Sequence, residues 1–166
     1  NYVKKVIFPL ELLPVTVVGV AAFHALVAFT LLLLAVLLLG DGLHWSALWL
    51  PLLVFPLLLL AQGLAWGLAA LGVFLRDTGQ VTGVLSMVLM FMAPVFYPAT
   101  ALPEHLRNWL YLNPLTFVIE SVRAALFTGQ GPDLASLALF TAVAVVVAQV
   151  GFWFFQRSRN GFADVL

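Results

Sequence analysis

The chain has 166 residues, 64% hydrophobic and 8% charged, with 7 Lys and Arg balancing 7 Asp and Glu. Soluble domains carry roughly 25% charged residues, so this composition excludes them and specifies a polytopic membrane protein. Zero net charge offers no global basic surface for nucleic acid, and the absence of cysteine removes disulfides, thiolate metal sites and cysteine nucleophiles.

Residues 1–14, NYVKKVIFPLELLP, open without Met and without the pattern of a signal peptide, and read as a segment before a first span in a fragment of a longer chain. Residues 15–39 carry His24 as their one ionisable group. At helical rise they reach roughly 37 Å, enough to cross a ~30 Å hydrocarbon core with tilt. GDGLHW, residues 40–45, breaks the helix. Ser46 is then expected to cap a second span, 47–74, with Pro51 in the tolerant first turns and Pro56 as a kink. A third span, 79–97, is predicted to reach about 28 Å, with Pro94 near its end.

The pattern then changes. In 98–114, Leu102, Leu106, Trp109 and Leu110 recur at helical spacing among Glu104, His105, Arg107 and Asn108, the mark of a short amphipathic helix at an interface. Asn113-Pro114 stops it, and a following helix over 115–127 would reach only about 20 Å, too short to cross. Residues 98–128 are therefore expected to form a re-entrant helical hairpin. Asp133 caps a last span, 134–156, before a polar tail, 157–166. The predicted fold is all-α: four transmembrane helices plus one short hairpin.

Lys4, Lys5, Arg76, Arg157 and Arg159 fall on one side of this layout and Arg107 and Arg123 on the other. The positive-inside rule places the N-terminal segment and the tail in the cytoplasm and turns the hairpin outward. Trp45, Trp49, Trp109 and Tyr111 then sit at the outer headgroups and Trp153 at the inner ones.

No HExxH, GxSxG or phosphate-loop motif occurs, and His24, His44 and His105 lack the spacing of metal ligands. An intramembrane enzyme would have only Ser86, Thr82 and His24 to draw on. His24 lies inside a span, as a functional group or as a neutral imidazole bonded to a neighbouring helix. GLAWG (63–67) and GQVTG (79–83) have the small-xxx-small spacing of close helix packing, extended by Ala61, Ala65 and Ala69. Gln62 and Gln149 are candidates for interhelical hydrogen bonds. Trp66, Phe91, Phe96 and Tyr97 offer aromatic faces for a channel lining. In FVIESVR, Glu120 and Arg123 share a helix face and can pair.

In order, KKVIFPLELLP, FLRDTGQV, APVFYP and LNPLTFVIESVR form a series that resembles the permease subunit of ABC-2 type exporters, most closely those of O-antigen, capsular polysaccharide or teichoic acid. The likeness covers the whole chain and corresponds to the C-terminal two thirds of a six-span permease. It implies a half-transporter in the cytoplasmic membrane of a bacterium, moving a lipid-linked glycan outward. Two permease copies would form the channel, and two separate ATPase subunits would hold ATP and Mg, with no cofactor on this chain. Cargo of another kind, a drug or a lipid, is the alternative.

Residue by residue, the resemblance places Lys4, Lys5, Phe8, Pro9, Glu11, Arg76 and Asp77 on the ATPase-facing side. Lys4 and Lys5 serve equally well as anchors to anionic lipid headgroups. Pro98, Trp109, Asn113, Pro114, Glu120 and Arg123 fall in the pair of outer helices that covers the channel exit.

Overall fold

The computed structural model describes residues 9–40, 42–75, 77–95, 97–98, 101 and 103–162, and every regular element among them is helical. The α-helices are α1 (Leu12–Leu39), α2 (Leu50–Phe74), α3 (Thr78–Phe91), α4 (Glu104–Leu110), α5 (Pro114–Arg123) and α6 (Leu134–Ser158). A 3-10 turn, Trp45–Trp49, leads into α2, and a π-helical turn, Ala124–Thr128, prolongs α5. Helix α1, α2 with its 3-10 turn, and α6 are long and apolar enough to cross a membrane.

Two expectations change. The third span, expected over 79–97, is helical only as α3, whose 14 residues reach about 21 Å against a core of ~30 Å. Pro94 has no N–H to continue the ladder, and the Val95 amide turns back to the Ala93 carbonyl instead (2.8 Å). Ser46, expected as a cap, lies inside the 3-10 turn, and its hydroxyl donates to the Ala125 carbonyl (2.5 Å). The other bounds move by a few residues. Helix α1 starts at Leu12 because Pro14 occupies the first turn, where no intrahelical N–H is needed.

Helices α2 and α6 form the centre. They run parallel: Trp49 lies against Gly131 at one end, and Phe74 meets Phe162 at the other, with ring centroids 5.9 Å apart. The buried residues of α2 include Leu53, Pro56, Leu60, Gly63 and Ala70, and those of α6 include Leu137, Ala144 and Gly151, so heptad-like stripes face each other. At the crossing the backbones touch. A Cβ on Gly63 would lie 2.6 Å from the Ala148 nitrogen, and one on Gly151 would run into the Gly63 carbonyl. Lipid offers no hydrophobic drive between apolar helices, so such close approach, with its many dispersion contacts, holds the pair.

Helix α1 runs antiparallel to this pair. Leu10 packs at the cluster of Ala70, Phe155 and Phe162, while Phe29 and Leu33 pack at Leu50, Ala125 and Leu126. Most of α1 is apolar and exposed, as a lipid-facing helix requires. The bundle has a tail end, at Glu11, Phe74 and Arg159, and a hairpin end, at Ser46, Ala125 and Asp133.

Candidate functional site

The hairpin is built from one turn. Helix α4 ends at Leu110, and Tyr111–Asn113 reverse the chain into α5. Asn113 is buried, and its Oδ1 accepts from the Leu115 amide (3.0 Å), capping α5 ahead of Pro114 at the first helical position. Thr116 is fully buried and donates its hydroxyl to the Leu110 carbonyl (2.6 Å), closing α4 onto α5. From there α5 rises alongside α2 and touches α6 through Phe117 on Phe140 (ring centroids 5.6 Å), until the π turn reaches Ser46. Gly129, at φ 68°, ends that turn against the His44 ring.

Glu120 and Arg123 pair at 2.5 Å, each with about a third of its side chain exposed (31%). The guanidinium also reaches out of its own helix, donating to the Pro94 carbonyl (2.8 Å) and more loosely to that of Val95 (3.5 Å). At the other end of α5, Asn113 Nδ2 donates to the Leu89 carbonyl near the end of α3 (2.7 Å). The last carbonyls of a helix, and those just beyond it, lack intrahelical donors, so these side chains supply what the backbone cannot. Pro98 and Trp109 are exposed, and Tyr97 donates to the Phe91 carbonyl (3.4 Å) at the end of α3.

At the tail end, Glu11 immediately precedes α1. Its carboxylate faces Arg159 at 3.5 Å, and its carbonyl accepts from Trp66 Nε1 (3.0 Å). Trp66 also lies edge-on to Phe152, at 5.0 Å between centroids. Trp66 therefore joins α2 to the start of α1 and to α6. Asp77, exposed, precedes α3 without a side-chain cap, and Pro9 is exposed. Lys4, Lys5, Phe8, Arg76 and Phe96 lie outside the described residues.

The structure thus brings together Asn113, Glu120 and Arg123 with the end of α3, and Glu11 with Trp66 and Arg159. Phe91 is exposed at the last position of α3, beside Tyr97 and remote in the fold from Trp66. The sequence reading places Thr116 on the face of Glu120 and Arg123 but missed its bond to the Leu110 carbonyl, and it missed Ser46 as a tertiary donor and Gly151. Only Gly151 carried a signal, as a small residue in an apolar span. Of the GxxxG pairs, Gly63 makes the contact, while Gly67, Gly79 and Gly83 face open space. His24 is exposed on α1 beside Phe23, and Gln62 Nε2 has no hydrogen-bond partner among the described residues. No group of metal-ligating residues occurs among the described residues.

The sequence profile of ABC-2 type transporters matches residues 1–127, the stretch that contains α1 to α5. The chain belongs to the ABC-2 type transporter family. A curated relative, the O-antigen export system permease protein RfbA of Myxococcus xanthus, is 32% identical over 99 residues. That alignment covers 58% of this chain and 38% of the relative, so the chain spans well under half of the protein it matches. In this ABC-2 chain, then, the polar groups gather at the hairpin and at the tail end, with apolar helices between them.

Proposed function

We propose that this chain is the membrane-spanning part of a permease subunit of an ATP-driven exporter that moves a lipid-linked polysaccharide outward. The similarity to an O-antigen export permease carries the cargo class. Family membership supports a separate ATPase as the motor. That ATPase binds ATP and Mg and docks at the tail end, the cytoplasmic one, where Pro9, Glu11 and Asp77 lie near the membrane surface. The hairpin end faces outward and covers the exit of a channel formed with a second copy. A chain segment of about 22 Å, α5 with its π turn, cannot cross the bilayer, so it is suited to plug or cover a path.

The test is export by the full-length permease together with its ATPase. Deletion is expected to remove the surface glycan and to accumulate lipid-linked glycan inside. A strain that still displays the glycan, with no internal accumulation, overturns the cargo. Failure of the permease to co-purify with any nucleotide-binding subunit overturns the coupling.

A further inference from the structure

Helix α2 spends its small residues in two different ways. Gly63 takes the backbone of α6, whereas Ala65 and Ala69 face α1, which stands off from them. Between the two helices an apolar cleft of about 440 Å³ remains, lined also by Leu13 and Val17 of α1 and, towards the tail end, by Phe155 and Phe162. It runs about 12 Å along α2, from Val73 to Ala65. An empty apolar cleft forfeits the dispersion contacts of its walls, so in a membrane it fills. A helix, about 10–12 Å across, does not fit between two helices already in contact, whereas an acyl chain does.

The tail end of this cleft carries two opposite charges. Leu10 and Leu13 flank Glu11, and Phe155 and Phe162 lie one helical turn to either side of Arg159, so both charged side chains sit where the cleft meets the headgroup layer. Their 3.5 Å separation makes an ion pair but a poor hydrogen bond, and Glu11 Oε2 has no hydrogen-bond donor among the described residues. With 24% of the Glu11 side chain and 47% of the Arg159 side chain exposed, both can be reached from the membrane surface. A guanidinium carries several N–H donors, and most of those of Arg159 remain for another acceptor.

We propose that the cleft binds a phospholipid whose headgroup carries a primary ammonium, as phosphatidylethanolamine does. One acyl chain lies between α1 and α2, the phosphate accepts from Arg159, and the ammonium donates to the Glu11 carboxylate. Each half of the headgroup thus gives one member of the ion pair the charge-assisted hydrogen bond it lacks. The same geometry discriminates among lipids. Phosphatidylcholine has the same charges, but its quaternary nitrogen has no N–H for Glu11. Phosphatidylglycerol has no cation and sets its anion beside the carboxylate. Bound there, the lipid ties the start of α1 to the end of α6. The site depends on neither the cargo nor the motor of the proposed function.

The test offers the full-length permease, delipidated in detergent, an equimolar mixture of dioleoyl phosphatidylethanolamine, phosphatidylcholine and phosphatidylglycerol, and reads the retained lipid by native mass spectrometry. The ethanolamine lipid is expected to be retained about tenfold over either of the others, the effect of one charge-assisted hydrogen bond. Glu11→Gln keeps the size of the side chain and removes its charge, and should bring the ethanolamine and choline lipids to equal retention. Arg159→Gln should lower the retention of all three. Ala65→Leu fills the cleft and leaves both charges in place; it should lose the lipid while its lipid-free thermal midpoint holds or rises. The proposal is overturned if the unaltered permease retains the three lipids equally, retains none, or prefers phosphatidylglycerol. It is equally overturned if Glu11→Gln keeps the preference, or if Ala65→Leu keeps the lipid or melts lower, since the cleft would then not be open to a chain.

Discussion

At the scale of single residues, position in the bundle decides what a polar group does. Ser46 and Asp133 both precede long apolar helices, and both read as caps in the sequence. Asp133 is one, accepting from the Ser136 hydroxyl (2.6 Å) and amide (2.9 Å). Ser46 instead finds a carbonyl 79 positions away, in a π turn whose wide geometry leaves that oxygen free to accept. The Ser136 hydroxyl, and then its amide, hold the Asp133 carboxyl below its usual pKa. A depressed folded pKa means the cap contributes fully above the unfolded value, and the contribution is lost as pH falls through the folded one. Protection of the Ser136 amide from hydrogen exchange should hold from neutral pH down to about pH 4 and weaken below it. Loss of protection near neutral pH would contradict the assignment, and Asp133→Asn should flatten the dependence.

Between elements, two kinds of contact divide the work. Helices α2 and α6 are joined by backbone contact at Gly63 and Gly151, where nothing can be added. Gly151→Leu must push the helices apart and should cost at least about 1–3 kcal/mol, the usual range for overpacking. Gly67→Ala, on α2 one turn beyond Gly63 but facing open space, should be neutral or stabilising by up to about 1 kcal/mol. Thermal midpoints of the two variants in one detergent measure the contrast. If both fall equally, the crossing is not where the structure puts it. The contacts of α3 are of the other kind. They are a few hydrogen bonds at its ends, with neither buried side chains nor a small-residue seam between.

Taken whole, the molecule is a bundle of three long helices with ties at both ends, carrying a hairpin at one end and a short helix, α3, on its side. At the tail end, Glu11, Trp66 and Arg159 join α1, α2 and α6; at the other, Ser46 and the cluster of Leu50, Ala125 and Leu126 join α1 and α2 to the hairpin. The Glu11–Arg159 pair is partly exposed and contributes at most about 1 kcal/mol, so the aromatic packing of Phe74, Phe155 and Phe162 carries more of that end. Orientation across the membrane can be read with single cysteines in full-length protein whose native cysteines, if any, have been replaced. Gln130→Cys, exposed at the hairpin end, should react with a membrane-impermeant thiol reagent added to intact cells. Gly79→Cys, exposed near the tail end, should react only after permeabilisation. The reverse pattern would invert the proposed topology.

Much of this architecture was legible in the chain itself. Long apolar runs broken by GDGLHW, Arg76-Asp77 and GQGPD have no other physical solution in lipid than helices, because every backbone group must be paired within its own segment. The 115–127 stretch was too short to span, and Glu120 and Arg123 at i and i+3 were bound to share a face. What local pattern could not reveal was which partner each exposed group would meet. Thr116 and Ser46 bond carbonyls that only the folded chain brings near; Gly151 matters because Gly63 lies opposite; Arg123 reaches past its own helix to Pro94. Helices, their order and a stretch over 115–127 too short to span follow from the residues alone. That α5 and its π turn are packed, while α3 buries none of its own residues ahead of the buried Ala93 and Pro94, emerges only in the fold, because burial belongs to the meeting of surfaces, and no single segment encodes it.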